Sequence, residues 1–172
     1  MSIETKTELK DNFHGDDWVL STDIRLVDKA GEVFGEKLAQ AGWQDHADFE
    51  WFKTGFREAL INAIVHGNLE IKNKLEGENW QEAALRVQEE SPTQKKVYVS
   101  LDIKPDSIIV TIRDEGNGFT TQDLTDPTSE EGVLKPSGRG FTFMKNFFDE
   151  VRHNDIGNEV TMIKRRLALS VL

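Results

Sequence analysis

The chain has 172 residues, 37% hydrophobic and 30% charged, which suits one domain with a continuous core and leaves too few residues for two joined by a linker. Its formal charge of -10 repels phosphate backbones and anionic lipid surfaces, so direct nucleic-acid and membrane-surface roles are set aside, and the basic run Lys164, Arg165, Arg166 reads as a solvated strand end. With no cysteine there is no disulfide, thiolate nucleophile or sulfur-based zinc site, and His14, His46, His66 and His153 lack the paired spacing of metal ligands.

Residues 1–15 are polar and aperiodic and read as a loose arm. The acidic start lacks the basic and apolar regions of a signal peptide, and no stretch approaches the roughly 20 apolar residues that span a bilayer, so a cytoplasmic location is expected. A short strand is predicted at 18–21. Ser21, Thr22 or Asp23 then caps a helix with Ile24, Val27, Val33, Phe34, Leu38 and Ala41 as its apolar stripe, ending near Gly42. A second helix is predicted from about Asp45, with Phe49, Phe52, Phe56, Ala59, Leu60, Ala63 and Ile64 recurring at three- and four-residue steps. Gly67 and Asn68 supply a left-handed stop.

Residues 69–94 are charged and poor in β-branched side chains; they read as an insertion with a short surface helix over 80–90. Val97, Val99 and Leu101 alternate with polar partners, Pro105 and Asp106 make a turn, and 108–112 form a second strand, so the pair reads as an antiparallel hairpin. Residues 119–137 hold Thr, Asp, Ser, Pro and Gly without periodicity, which is the pattern of a mobile lid. Gly140 opens a helix burying Phe141, Met144, Phe147 and Phe148, and strands follow at 150–153 and 158–167 around a turn at 155–157. This order predicts an α+β fold, a two-layer sandwich with helices on one face of a mixed, mainly antiparallel sheet.

Three features can carry chemistry. Glu58, Asn62 and His66 stand four residues apart and share one helix face, although a solvated polar face has the same pattern. Asp114-Glu115-Gly116-Asn117-Gly118 follows a strand, where two glycines let the backbone approach a flat ligand and Asp114 can accept a hydrogen bond; a plain tight turn is the alternative. Ser137-Gly138-Arg139-Gly140 stands at a helix start, where unpaired N–H groups favour an anion and a simple cap is the alternative. For His66 the dipole at the helix end is a sufficient account.

In this order the features resemble the Bergerat-type (GHKL-type) ATPases, the superfamily of gyrase, the mismatch-repair ATPases and sensor histidine kinases. Residues 56–68, Phe-Arg-Glu-Ala-Leu-Ile-Asn-Ala-Ile-Val-His-Gly-Asn, look like the first box of that superfamily, and 113–119, Arg-Asp-Glu-Gly-Asn-Gly-Phe, like the second. The third, 138–151, ends in Phe-Phe-Asp-Glu-Val and is most similar to the bacterial anti-sigma factor serine/threonine-protein kinases. The resemblance covers about 17–167 and implies the histidine kinase-like ATPase fold, with 119–137 as the ATP lid.

It further implies ATP and Mg²⁺ as ligands. Asp114 would take the adenine amino group, Gly116 and Gly118 would shape the base pocket, and Asn62 would hold Mg²⁺ against the phosphates. Glu58 would polarise the attacking hydroxyl, and Gly138, Arg139 and Gly140 would receive the phosphates. The implied partners are an anti-sigma factor antagonist and a sigma factor; the relatives commonly form homodimers. Two departures stand out: Pro136 occupies the place of an arginine thought to face the terminal phosphate, and Asn158-Glu159 replaces a Gly-Thr that contacts adenine through water. Two alternatives to the kinase follow. One is an ATP-set binding module without phosphotransfer. The other is a histidine-kinase catalytic domain, a poorer fit because no phosphoacceptor hairpin precedes the ATP domain.

Overall fold

The computed structural model describes residues 13–118 and 144–166. The expected lid at 119–137, Gly138, Arg139, Gly140 and Phe141 all lie outside the described residues. Five strands form one sheet: β1 (Asp17–Ser21), β2 (Lys96–Lys104), β3 (Ser107–Arg113), β4 (Glu150–His153) and β5 (Glu159–Arg165), in the order β1-β2-β3-β5-β4. Every pairing among the described strands is antiparallel, in keeping with the mainly antiparallel sheet anticipated from sequence. Chain reversal explains this: β2 and β3 close on the two-residue turn at Pro105 and Asp106, and β4 and β5 close on the turn after His153.

Period-two alternation then decides the layers. Trp18 and Leu20, Val97, Val99 and Leu101, Ile108, Val110 and Ile112, and Val160 and Met162 all point to one buried face. Helix α1 (Leu26–Gln40) lays Val27, Ala30, Phe34 and Leu38 on that face, and α2 (Phe49–Asn62) adds Phe52, Phe56, Ala59 and Leu60. Their aromatic rings lock the layer: Phe34 stacks on Phe56 at 4.4 Å, and Trp43 meets Phe52 edge-on at 5.8 Å while its indole N–H donates to the Lys104 carbonyl at 2.7 Å. Gly31 and Gly35 on α1 let the stems of Arg57 and Lys53 lie across the helix.

Several local expectations are corrected. The end of the polar arm is packed, since Phe13 is buried edge-on to Trp18 at 5.1 Å and the Trp18 indole donates to the Gly15 carbonyl. Helix α2 starts at Phe49 rather than near Asp45, because Trp43, His46 and Phe49 make successive backbone turns and His46 Nδ1 accepts the Asp48 N–H at 3.0 Å. Gly67 and Asn68 are not a left-handed stop. The chain passes from α2 into a π-helical turn over Ala63–Asn68, closed by the Leu69 N–H on the Ile64 carbonyl at 2.9 Å, and the residue with positive φ is Glu70, at 53°.

Helix α3 (Trp80–Glu90) falls where periodicity places it, capped by Asn79 Oδ1 accepting the Glu82 N–H at 2.8 Å. It is more than a surface helix: Ala83 and Ala84 are fully buried, and Gln88 bridges to Asp23 and to the Ile24 N–H at the start of the α1 region. No described helix is long and apolar enough to cross a membrane.

Candidate functional site

Helix α2 buries Phe52, Phe56, Ala59 and Leu60 and thereby turns Glu58 and Asn62 to its other side, where both are partly exposed. Neither makes a side-chain hydrogen bond among the described residues, and burial raises the Glu58 carboxyl above its ordinary value against a smaller opposing pull from Arg57. The π-turn interrupts the ladder after Asn62. His66 is held by other contacts: its Nδ1 pairs with the Ile71 carbonyl at 2.9 Å, and its ring meets Trp80 edge-on at 4.7 Å. Burial holds its pKa below the ordinary value, so the neutral ring is favoured and interaction of a charged imidazole with the helix dipole does not account for it.

The same π-turn brings the second motif into place. The Cα of Gly67 faces the Asp114 carboxylate so closely that any Cβ there would overlap Asp114 Cγ, and a Cβ on Gly116 would run into the Gly67 carbonyl. Gly118 has φ 73° and lies flush with the Ile156 carbonyl. Glycine is thus required at two points beside the carboxylate and at a third where the loop meets the β4–β5 turn. Gly67→Ala is expected to destabilise the fold by about 1–3 kcal/mol through overpacking, outweighing the roughly 1 kcal/mol that alanine gains in a helix. Equilibrium denaturation would measure it.

Asp114 follows the last residue of β3 and is only 8% exposed. Its Oδ1 accepts the Gly116 N–H at 2.8 Å, whereas Oδ2 accepts nothing from the described residues. Burial pushes its pKa up to about 6, against weaker opposing pulls from the Gly116 N–H, Lys95 and Arg113. A desolvated carboxylate with one open oxygen beside a Cβ-free wall is matched to a flat ligand bearing an N–H donor.

Asn68 ties this loop to the helix. It is 4% exposed, donates through Nδ2 to Thr22 Oγ1 at 2.9 Å and the Lys96 carbonyl at 3.0 Å, and accepts the Glu115 N–H at 2.7 Å. Glu115 in turn accepts the Lys96 N–H, and Asn117 donates to Glu70 at 2.7 Å. Sequence reasoning singled out Asp114, Gly116 and Gly118 but read Gly67 and Asn68 as a helix stop. The usable signal was their position immediately after the Glu58 and Asn62 ladder. Asn62 lies about one turn and Glu58 about two turns back from Gly67 along the helix, so an elongated ligand gripped by Asp114 can run back toward both.

An antiparallel sheet covered by helices on one face, with a buried carboxylate at a strand end beside the end of a helix, defines the class to which the chain belongs, the histidine kinase-like ATPase domain family; the model of that family matches residues 20–164. Within it the chain is similar to the anti-sigma F factor of Bacillus subtilis, with 35% identity over 103 residues, covering 58% of this chain and 55% of that protein. The anti-sigma F factor of Anoxybacillus flavithermus is 32% identical over 114 residues, covering 65% of this chain and 64% of that protein. The aligned part therefore spans less than two thirds of either relative. The ATPase family and the likeness to anti-sigma factors, both expected from the three boxes, are found.

Proposed function

We propose that this chain binds ATP with Mg²⁺ and acts as an anti-sigma factor and serine/threonine-protein kinase, phosphorylating a small antagonist protein in a bacterial partner-switching pathway. The observation that carries the reading is the half-satisfied carboxylate of Asp114: its Oδ2 has no donor among the described residues, and the 6-amino group of adenine supplies one. Gly116 and Gly118 keep the loop close to the base. The similarity to anti-sigma F factors supports the sigma-factor partner. A cytoplasmic homodimer that contacts neither nucleic acid nor membrane completes the reading.

The described residues fit the required ligands. Asn62 has an uncommitted side-chain amide whose oxygen would hold Mg²⁺, and no three His, Asp or Glu side chains among the described residues cluster as a metal site, so phosphate oxygens and water would complete the shell. The ion, when bound, neutralises phosphate charge. Glu58 would orient the serine or threonine hydroxyl and take its proton; its raised pKa makes it a better base near neutral pH than an exposed glutamate. Gly138, Arg139 and Gly140 would receive the phosphates on backbone N–H groups and a guanidinium.

Pro136, standing where the resemblance implies an arginine, favours a second reading in which ATP sets partner affinity without phosphotransfer. Incubation with labelled ATP, Mg²⁺ and a bacterial lysate separates the two. Acid-stable phosphoserine or phosphothreonine on a small protein is expected. Acid-labile label would indicate a histidine kinase, retained nucleotide without label the binding module, and absence of bound nucleotide would overturn both.

A further inference from the structure

The turn between β4 and β5 touches the Asp114 loop at both ends. Asp114 stands one residue beyond β3, yet its N–H donates to the Asn158 carbonyl at 2.9 Å and its carbonyl accepts from Asn158 Nδ2 at 3.2 Å. Asn158 is itself held: its side-chain oxygen accepts from Asn154 Nδ2 at 2.6 Å. Asn154 Oδ1 collects the N–H groups of Gly157, Asn158 and Glu159 at 2.8, 3.0 and 3.2 Å. Those three donors dictate which way the Asn154 amide faces, which in turn dictates that Asn158 presents its N–H to Asp114. At the other end, Gly118 abuts the Ile156 carbonyl.

We infer that Asn154 and Asn158 are positioning residues for base recognition: together they fix both backbone groups of Asp114, and with the Gly116 N–H on Oδ1 they aim Oδ2, setting a preference for purines with a 6-amino group. The inference rests on the proposed reading of Asp114 as the adenine contact. A side chain that binds three N–H groups of its own turn is common turn chemistry. That local role does not require the reach from Asn158 to the Asp114 carbonyl, across 44 positions of sequence. Without it, Asp114 keeps its N–H bond to the Asn158 carbonyl and the Gly116 N–H on Oδ1, but its own carbonyl loses that donor and the carboxylate can tilt, and a hydrogen bond weakens steeply with misalignment. Asn158, one of the two residues that depart from the Gly-Thr of the resembling family, thus supplies a direct amide contact to the strand end.

The test compares the affinities of the full chain for ATP and for purine riboside 5′-triphosphate, which lacks the amino group, by calorimetry with Mg²⁺. The wild type is expected to prefer ATP by roughly tenfold or more. Asn158→Ala, and the near-isosteric Asn158→Asp, which keeps the acceptor for Asn154 but loses the donor to Asp114, are each expected to cut that preference by roughly fivefold or more, with analogue affinity changed by less than about threefold. Asn158→Thr, which retains a hydroxyl donor, is expected to recover part of it. Parallel loss of both affinities with the preference intact would reduce Asn158 to a structural residue and overturn the inference. A wild type without preference would instead overturn the adenine assignment of Asp114, and with it the inference.

Discussion

Asp114→Asn is expected to lower ATP affinity by roughly 100-fold, because the amide keeps its oxygen for the Gly116 N–H and turns an NH₂ toward the amino group of the base, replacing a charged acceptor by a donor. The same change is expected to stabilise the nucleotide-free protein at neutral pH. Burial raises the carboxyl from 3.8 to about 6, so the folded state binds more protons than the unfolded state between those values. Stability is full below the lower value and is lost as pH rises through the upper one. Removing the charge should return about 1–3 kcal/mol above pH 6, and the difference from wild type should vanish below pH 3.8. Denaturation at two pH values and nucleotide titration read the two effects separately. The affinity ratio of ATP to its amino-free analogue, which cancels the titration of the phosphates, should rise as pH increases through about 6 in the wild type and stay flat in the variant. A variant that binds ATP as the wild type does would remove the base pocket described here.

Glu58→Gln is expected to leave ATP affinity within about threefold of wild type and to slow phosphoryl transfer by roughly 10²–10⁴-fold, the usual contribution of a positioned general base. The isosteric amide keeps the shape of the α2 face while losing the proton acceptor. Because Glu58 must be ionised to act, the transfer rate should fall as pH drops through its pKa, which burial sets above the ordinary 4.5, and that acidic limb should be absent from the variant. Transfer at the wild-type rate by Glu58→Gln, measured on the phosphorylated antagonist, would take Glu58 out of the base role.

Both effects depend on one geometric relation that neither motif displays alone. The apolar periodicity of α2 determines that Glu58 and Asn62 face away from Phe56 and Leu60, and the alternation of Ile108, Val110 and Ile112 determines that Asp114 emerges at a strand end. Periodicity reports only local faces. It cannot register the change from α to π hydrogen bonding after Asn62, which depends on where Leu69 and Ile71 find backbone partners, nor the packing of His66 on Trp80. It cannot show that Gly67 is small because Asp114 needs the space, since the two are 47 positions apart and their approach is a product of packing.

What the amino-acid sequence determined by itself was therefore the order of the main described strands and helices, the candidate side chains and the family, because propensity, hydrophobic period and motif order are written in neighbouring residues. Tertiary structure alone decided the all-antiparallel sheet order, the packing of α3 against the core, the half-satisfied state of Asp114 and the Asn154–Asn158 contact. Each of these depends on groups that meet only when distant segments compete for the same buried space and for the same backbone donors and acceptors.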